Sequence, residues 1–472
     1  MEHLQSKATP KSSPPTVQWK EKIHLFSWQW HSVVMATGAC SSLLHSFPYG
    51  AGTFGFEVMT LASFLLDLVF FVLLCIWAIL RCVMFPEDRA SILTDPAKSL
   101  FIGFFVNGIA SLINAALTVN RDWGTGRLAL LYTLWGLWWV DCTLSCIIAF
   151  GLVYVMMGQN SRDLSKIGPV WMVPIITLIT ASSSGGLFTR ALIPLAPKCA
   201  MISTGVSFTL LAIGLSFTMM LTTAFLLRLY LYGPLESNIV LTTFTTLTPL
   251  GQGGFSLLIN GQNLESLFPA TDAATQLTGR VLFPICICGA YVLWSMGVAW
   301  IAVACFSIRR RMANFPRFTI TSWCVIVPNA GFALLSLQLA VVLDNEFFRM
   351  FGAVWACIVF TLFLGIFGRT IPGIINGSMF RPTSPQKKEP PNVEQTIPTP
   401  TSASVPAQVV AGPDIIAQKG GRNLDDGRPS LSRPPSYNAL PYAANLQDLE
   451  AAVEKLLQEF EEPLPDQSKA QS

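Results

Sequence analysis

Asp67 and Asp141 stand inside long apolar runs of this 472-residue sequence, and neither has a basic residue at helical spacing to pair with. A carboxylic acid held at membrane depth is a functional candidate by default, because its charged form is costly there and its proton becomes exchangeable chemistry. Asp141 is the candidate for proton coupling; the competing reading is an acid that braces neighbouring helices. A second group of residues offers hydrogen bonds instead of protons. Thr37 and Ser41, Asn107 and Asn114, Ser182 and Ser183, Gln252 between Gly251 and Gly253, and Asn329 all interrupt otherwise greasy stretches. Hydroxyls and amides in that setting donate to a small anion without carrying full charge. Histidines 31 and 45 bracket the first apolar run and read as end residues that hydrogen-bond at an interface.

Enzyme chemistry finds no footing in these residues. The sequence has no HExxH, P-loop or GxSxG pattern, and no carboxylate pair that would face one cavity. The eleven cysteines fall in or beside apolar runs, and Cys286 and Cys288 form only a CxC, which places the thiols on different helix faces. No metal site, disulfide framework or cofactor is expected, and no nucleic-acid partner.

These residues must be positioned by membrane helices. The chain is 52% hydrophobic and only 12% charged, against roughly a quarter charged for soluble domains. The polar N-terminus has no early apolar core, so no cleaved signal peptide is expected. Ten hydrophobic spans are expected, centred on 31–47, 58–80, 99–119, 128–157, 170–190, 200–227, 239–260, 281–306, 321–343 and 349–371. Lysine and arginine are concentrated in the segments that are cytosolic if the N-terminus is inside, such as Lys20, Lys22, Arg81, Arg89 and Arg309 to Arg311. The opposite loops hold Arg121, Arg127, Arg190, Lys198, Arg280 and Arg349. That bias places both termini in the cytosol.

The spans alternate in kind. Even spans are bulky and greasy, as in LASFLLDLVFFVLLCIWAIL (61–80). Odd spans are small or polar and carry proline or glycine, as in MATGACSSLLHSFP (35–48), TLTPLGQGGFSLL (246–258) and VPNAGFALLSLQ (327–338). Small residues serve close packing of helices, but their restriction to the odd spans argues for an inner ring of odd helices around a polar pathway, with even helices facing lipid. The ring lacks carboxylates and internal Lys or Arg. Broken helices turn positive dipole ends inward, which suits a small anion.

The segments PLGQGGF (249–255), LFIGFFVNGIASLIN (100–114), WWVD (138–141), ITASSSGG (179–186) and FFRMFG (347–352) resemble the tellurite-resistance/dicarboxylate transporter family, in particular fungal sulfite efflux pumps and malic acid permeases. The resemblance covers roughly residues 20–376. It implies an all-α integral membrane fold of ten transmembrane helices as five hairpins, with odd helices lining a central pore, commonly as a homotrimer. It also implies sulfite efflux across the plasma membrane, with a C4-dicarboxylate such as malate as the alternative. An integral-membrane enzyme or a receptor is a distant third. Family members often place a phenylalanine gate directly before the ninth-span proline. Here that residue is Val327, so Val327, Phe255 and Phe332 are the gate candidates. Pro328-Asn329 followed by Gly331-Phe332 is closer to the malic acid permeases, and Val106 stands where the sulfite pumps tend to have proline.

Three regions are therefore expected: a cytosolic tail (1–29), a ten-helix transporter domain (30–376), and a Pro/Ser/Thr-rich disordered cytosolic tail (377–472). Within the last, Pro434, Pro435 and Tyr437 fit the PPxY form that resembles ligands of WW-domain ubiquitin ligases. Leu446, Leu449, Val453, Leu456 and Phe460 form the stripe of a short amphipathic helix near 445–461.

Overall fold

The computed structural model describes residues 15–376 and 379, apart from 51, 88–98, 125, 158–163, 269–272 and 312–317. The PPxY segment and the 445–461 stripe lie outside the described residues. A short helix at Pro15–His24 leads into ten further helices: α1 (Ser32–His45), α2 (Phe54–Met84), α3 (Ile102–Trp123), α4 (Arg127–Met157), α5 (Val173–Leu192), α6 (Pro197–Tyr232), α7 (Leu247–Leu267), α8 (Ala273–Arg311), α9 (Ile326–Leu343) and α10 (Glu346–Ile375). No strand occurs among the described residues. Eight of the ten are long and apolar enough to cross a membrane. The other two are α1, of 14 residues, and α7, of 21 residues diluted by glycine, glutamine and asparagine.

Packing follows the alternation in composition. Helices α1, α3, α5, α7 and α9 each pack on the next, and α9 packs back on α1, which closes a ring. Each even helix lies against the odd helices flanking it in sequence: α2 on α1 and α3, α4 on α3 and α5, α6 on α5 and α7, α8 on α7 and α9, α10 on α9 and α1. Burial separates the two sets. The apolar window of α2 is 11% buried and that of α10 is 22% buried, whereas those of α5 and α9 are 78% buried. The sheath of exposed leucines, valines and isoleucines on the even helices is the surface that hydrocarbon solvates.

Four of the five inner helices begin in the same way. A 3-10 segment precedes α1 (Trp28–His31), α5 (Pro169–Met172), α7 (Val240–Thr246) and α9 (Ile320–Val325), and α3 follows a turn at Leu100–Phe101. In α5, α7 and α9 a proline (Pro174, Pro249, Pro328) sits at the second or third residue. Proline lacks the N–H that an interior position must donate and is tolerated in the first turn. These prolines therefore start helices and do not break them midway.

Indole N–H groups tie these segments and the inner helices to the outer helices. Trp300 Nε1 on α8 donates to Thr243 O at 3.0 Å, Trp323 Nε1 donates to Thr370 Oγ1 on α10 at 3.0 Å, and Trp138 Nε1 on α4 donates to Ala181 O at 2.8 Å. The packed body begins slightly before residue 30. Phe26 is buried and stacks on Trp77 at 6.1 Å, and Gln29 Nε2 donates to Thr321 Oγ1 at 3.4 Å.

Candidate functional site

The starts of all five inner helices meet at one small cavity. It has a volume of about 20 Å³, room for about one water molecule. Its wall is Ser32 and Met35 from α1, Phe104 and Asn107 from α3, and Val173 and Ile176 from α5. Thr245 and Thr248 come from α7 with its 3-10 segment, and Trp323, Cys324, Val327 and Pro328 from α9 with its own. The apolar members Met35, Phe104, Val173 and Cys324 form one buried cluster, with Val327 packed against it. No charged side chain lines the cavity. What polarity it has comes from two threonines, Ser32, Asn107 and the positive dipole ends of the inner helices, the first N–H groups of α1, α5, α7 and α9 donating to carbonyls of the 3-10 segments before them.

Asn107 is the polar side chain best placed for a ligand. Its Oδ1 accepts from Thr180 Oγ1 on α5, while its Nδ2 is buried without a partner. One helical turn further along the ring, Gln252 Nε2 donates to Ser183 Oγ at 2.7 Å, and Ser183 Oγ donates to Thr180 O at 2.9 Å. Asn107, Thr180, Ser183 and Gln252 thus form a polar layer from α3, α5 and α7 above the cavity. Asn114 follows Asn107 on the same face of α3, half-buried, with Oδ1 unpartnered.

Other candidates from the sequence go elsewhere. Thr37 Oγ1 donates within its own helix to Val33 O at 2.8 Å, and Ser41 Oγ clamps α1 to α2 through Thr60 O at 3.2 Å. Ser182 Oγ donates to Ser207 O at 2.6 Å and lies 2.8 Å from Ser256 Oγ, which ties α5, α6 and α7 together. Gly251 is a contact surface: a Cβ there would stand 2.5 Å from Phe332 N on α9. A Cβ on Gly253 would meet Leu215 of α6 at 3.1 Å. Asn329 turns back to its own 3-10 segment, donating from Nδ2 to Val325 O at 2.7 Å.

The three gate candidates also separate. Val327 lines the cavity. Phe332 does not: it is fully buried, stacks on Trp294 of α8 at 6.0 Å, and meets Phe351 and Trp355 of α10 edge-on. Phe255 is buried further along α7 among Leu258, Ile259 and neighbouring core residues, outside the cavity wall. Asp141 lies on α4, buried to 1% exposure, on the face whose Trp138 and Ser145 bond to α5; neither carboxyl oxygen has a partner in the structure. Asp67 on α2 is likewise buried and unpartnered, with Oδ2 close over Gly38 of α1.

Phe104, Met35 and Val173 are wall residues that sequence reading passed over. A signal for part of the wall was present. Val173, Thr248 and Val327 each immediately precede the proline of their helix, and all three line the cavity.

At the far ends of the inner helices lies a second polar group. Gln262 Oε1 on α7 accepts from Gln338 Nε2 on α9 at 2.8 Å and from Arg190 Nη2 on α5 at 3.2 Å. His45 Nδ1 pairs with Asp122 Oδ2 at 2.9 Å, and Arg121 Nη2 lies 2.5 Å from His45 Nε2. Among the described residues no cluster of three His, Cys, Asp or Glu side chains could hold a metal ion.

Residues 25–371 match the family described as voltage-dependent anion channel. The chain is 27% identical over 350 residues to a sulfite efflux pump of Arthroderma otae, covering 72% of this chain and 89% of that protein. It is 25% identical to the sulfite efflux pump of Trichophyton rubrum, over 75% of this chain and 92% of the relative. It is 22% identical to the malic acid transport protein of Schizosaccharomyces pombe, over 81% and 90% respectively.

Proposed function

Because this chain belongs to the voltage-dependent anion channel family, we propose that it exports sulfite along the axis of the α1–α3–α5–α7–α9 ring. It is a multi-pass integral membrane protein, and its family and relatives carry transport names, not enzyme names. In this reading the ten helices act as five hairpins and the axial cavity is the narrowest part of the pore. The protein sits in the plasma membrane as a homotrimer with both termini cytosolic.

The observation that carries the proposal is the convergence of five helix starts on one cavity whose wall holds an unpartnered amide donor. Positive dipole ends and neutral donors stabilise an anion but, unlike a lysine, do not hold it as a fixed counter-charge. The site is selective for negative charge and shallow enough to release it. Size favours sulfite, which has four heavy atoms, over malate in a cavity of about 20 Å³. The second reading, a C4-dicarboxylate, draws on the malic acid relative and requires the wall of Met35, Phe104 and Val327 to part further.

Proteoliposomes preloaded with sulfite or malate test both. Sulfite release well above that of empty liposomes, with malate release at background, is the expected result; the reverse establishes the second reading, and neither would remove the function proposed here. Asn107→Ala is expected to lower sulfite flux about tenfold or more, the loss of one hydrogen bond to a charged group. In the same assay Asp141→Asn decides proton coupling: an unchanged pH dependence excludes that role for Asp141.

A further inference from the structure

A second and larger cavity, about 460 Å³, lies at the C-terminal ends of α3 and α5 where α4 begins. Its size is that of a small-molecule site, and its wall holds both cationic and apolar side chains. α3 and α5 contribute Arg121 and Arg190, with Leu117 and Leu187 on the same helices, and α4 and the segment after α5 contribute Leu128, Leu131 and Leu195. None of these residues lines the axial cavity.

The charge balance at the arginines is incomplete. No carboxylate lines the cavity. Arg121 Nε is 3.7 Å from Asp122 Oδ1, but that carboxylate is shared with His45, its Oδ2 lying 2.9 Å from His45 Nδ1. Arg190 has a neutral amide partner, Gln262, and no carboxylate among the described residues. The two guanidinium groups line the same cavity and carry like charges, which repel. An anion between them relieves that repulsion, and two guanidinium groups offer the planar fork that carboxylate and phosphate oxygens match. A small inorganic anion would leave the leucine wall unused, and a neutral lipid would leave the arginines unused. Leu128 and Leu195 are 51% and 48% exposed, so the cavity opens beside them on the outer surface of the helix ring, where a hydrocarbon chain can enter.

We propose that this cavity binds an amphiphilic anion, with its carboxylate or phosphate head on Arg121 and Arg190 and its hydrocarbon chain along Leu128, Leu131 and Leu195. The site shares no lining residue with the axial cavity, and the proposal does not depend on which anion is exported.

The test is binding of radiolabelled decanoate to the full chain in phosphatidylcholine nanodiscs, with decanol as the uncharged control. Saturable decanoate binding, at least tenfold tighter than decanol and weakened at least tenfold in the R121Q/R190Q double variant, is the expected result. Leu128→Trp fills the cavity from its exposed rim with both arginines intact, so it provides a check if the double variant fails to fold; it also is expected to abolish binding. Adding phosphatidylglycerol to the nanodiscs distinguishes the source: displacement of decanoate identifies a lipid headgroup as the natural head, and its absence identifies a free acid. Decanoate binding no tighter than decanol, or unchanged in both variants, overturns the proposal.

Discussion

Phe104 and Phe332 are both buried aromatic residues of the inner ring, yet they do different work. Phe104 lines the axial cavity with Met35 and Val327, so removing its ring enlarges the cavity that the proposed transport path crosses. Phe104→Ala is expected to raise basal anion flux per folded molecule in proteoliposomes. Phe332 is wedged between Trp294, Phe351 and Trp355. Truncating a fully buried phenylalanine costs ~3–5 kcal/mol, so Phe332→Ala is expected to lower the melting temperature of the detergent-solubilised protein and leave per-molecule flux near normal. Equal and opposite results for the two variants would reassign the gate.

Among the elements, the distinction between inner and outer helices was legible in the sequence because it rests on side-chain size and polarity summed over whole spans. The roles of individual polar residues were not. Ser182 and Ser183 are adjacent and chemically identical, but a 100° step around α5 sends one into a three-helix knot and the other towards Gln252. Composition identifies the helix; only its rotation about its own axis assigns the face. The glycines posed the same ambiguity, since space for a ligand and space for a neighbouring backbone require the same missing Cβ. Gly251 serves the second purpose, with Phe332 N 2.5 Å from where a Cβ would stand. Gly251→Val therefore has to separate α7 from α9. Overpacking of this kind costs ~1–3 kcal/mol, and a fluorescence-detected thermal shift in size-exclusion chromatography measures it. Unchanged stability would mean that the two helices are not held at that distance.

At the scale of the whole molecule, the PPxY form lies in the sequence beyond the described helices. We propose that Pro434-Pro435-Ser436-Tyr437, as a ligand of a WW-domain ubiquitin ligase, sets the abundance of the protein. Tyr437→Ala is expected to reduce ubiquitylation and lengthen the half-life of the protein in a fungal host, with sulfite efflux per molecule unchanged. Equal ubiquitylation of the two forms would remove the motif from consideration.

Under the proposed transport path, the one-molecule volume of the axial cavity also determines which form of a weak acid can cross. An anion entering about 20 Å³ of space walled by Met35, Phe104, Val173 and Val327 sheds its hydration shell, and no lysine or arginine there repays the loss. The cost of dehydration grows with the square of the charge, so a dianion forfeits roughly four times what a monoanion does. Bisulfite should therefore pass and the sulfite dianion be rejected, and flux at fixed total sulfite should rise as the donor compartment is acidified through the second ionisation of sulfurous acid. Among non-titrating anions, weakly hydrated thiocyanate and nitrate should outrun sulfate in the same proteoliposomes. A flat series would show that the anion crosses with its water intact.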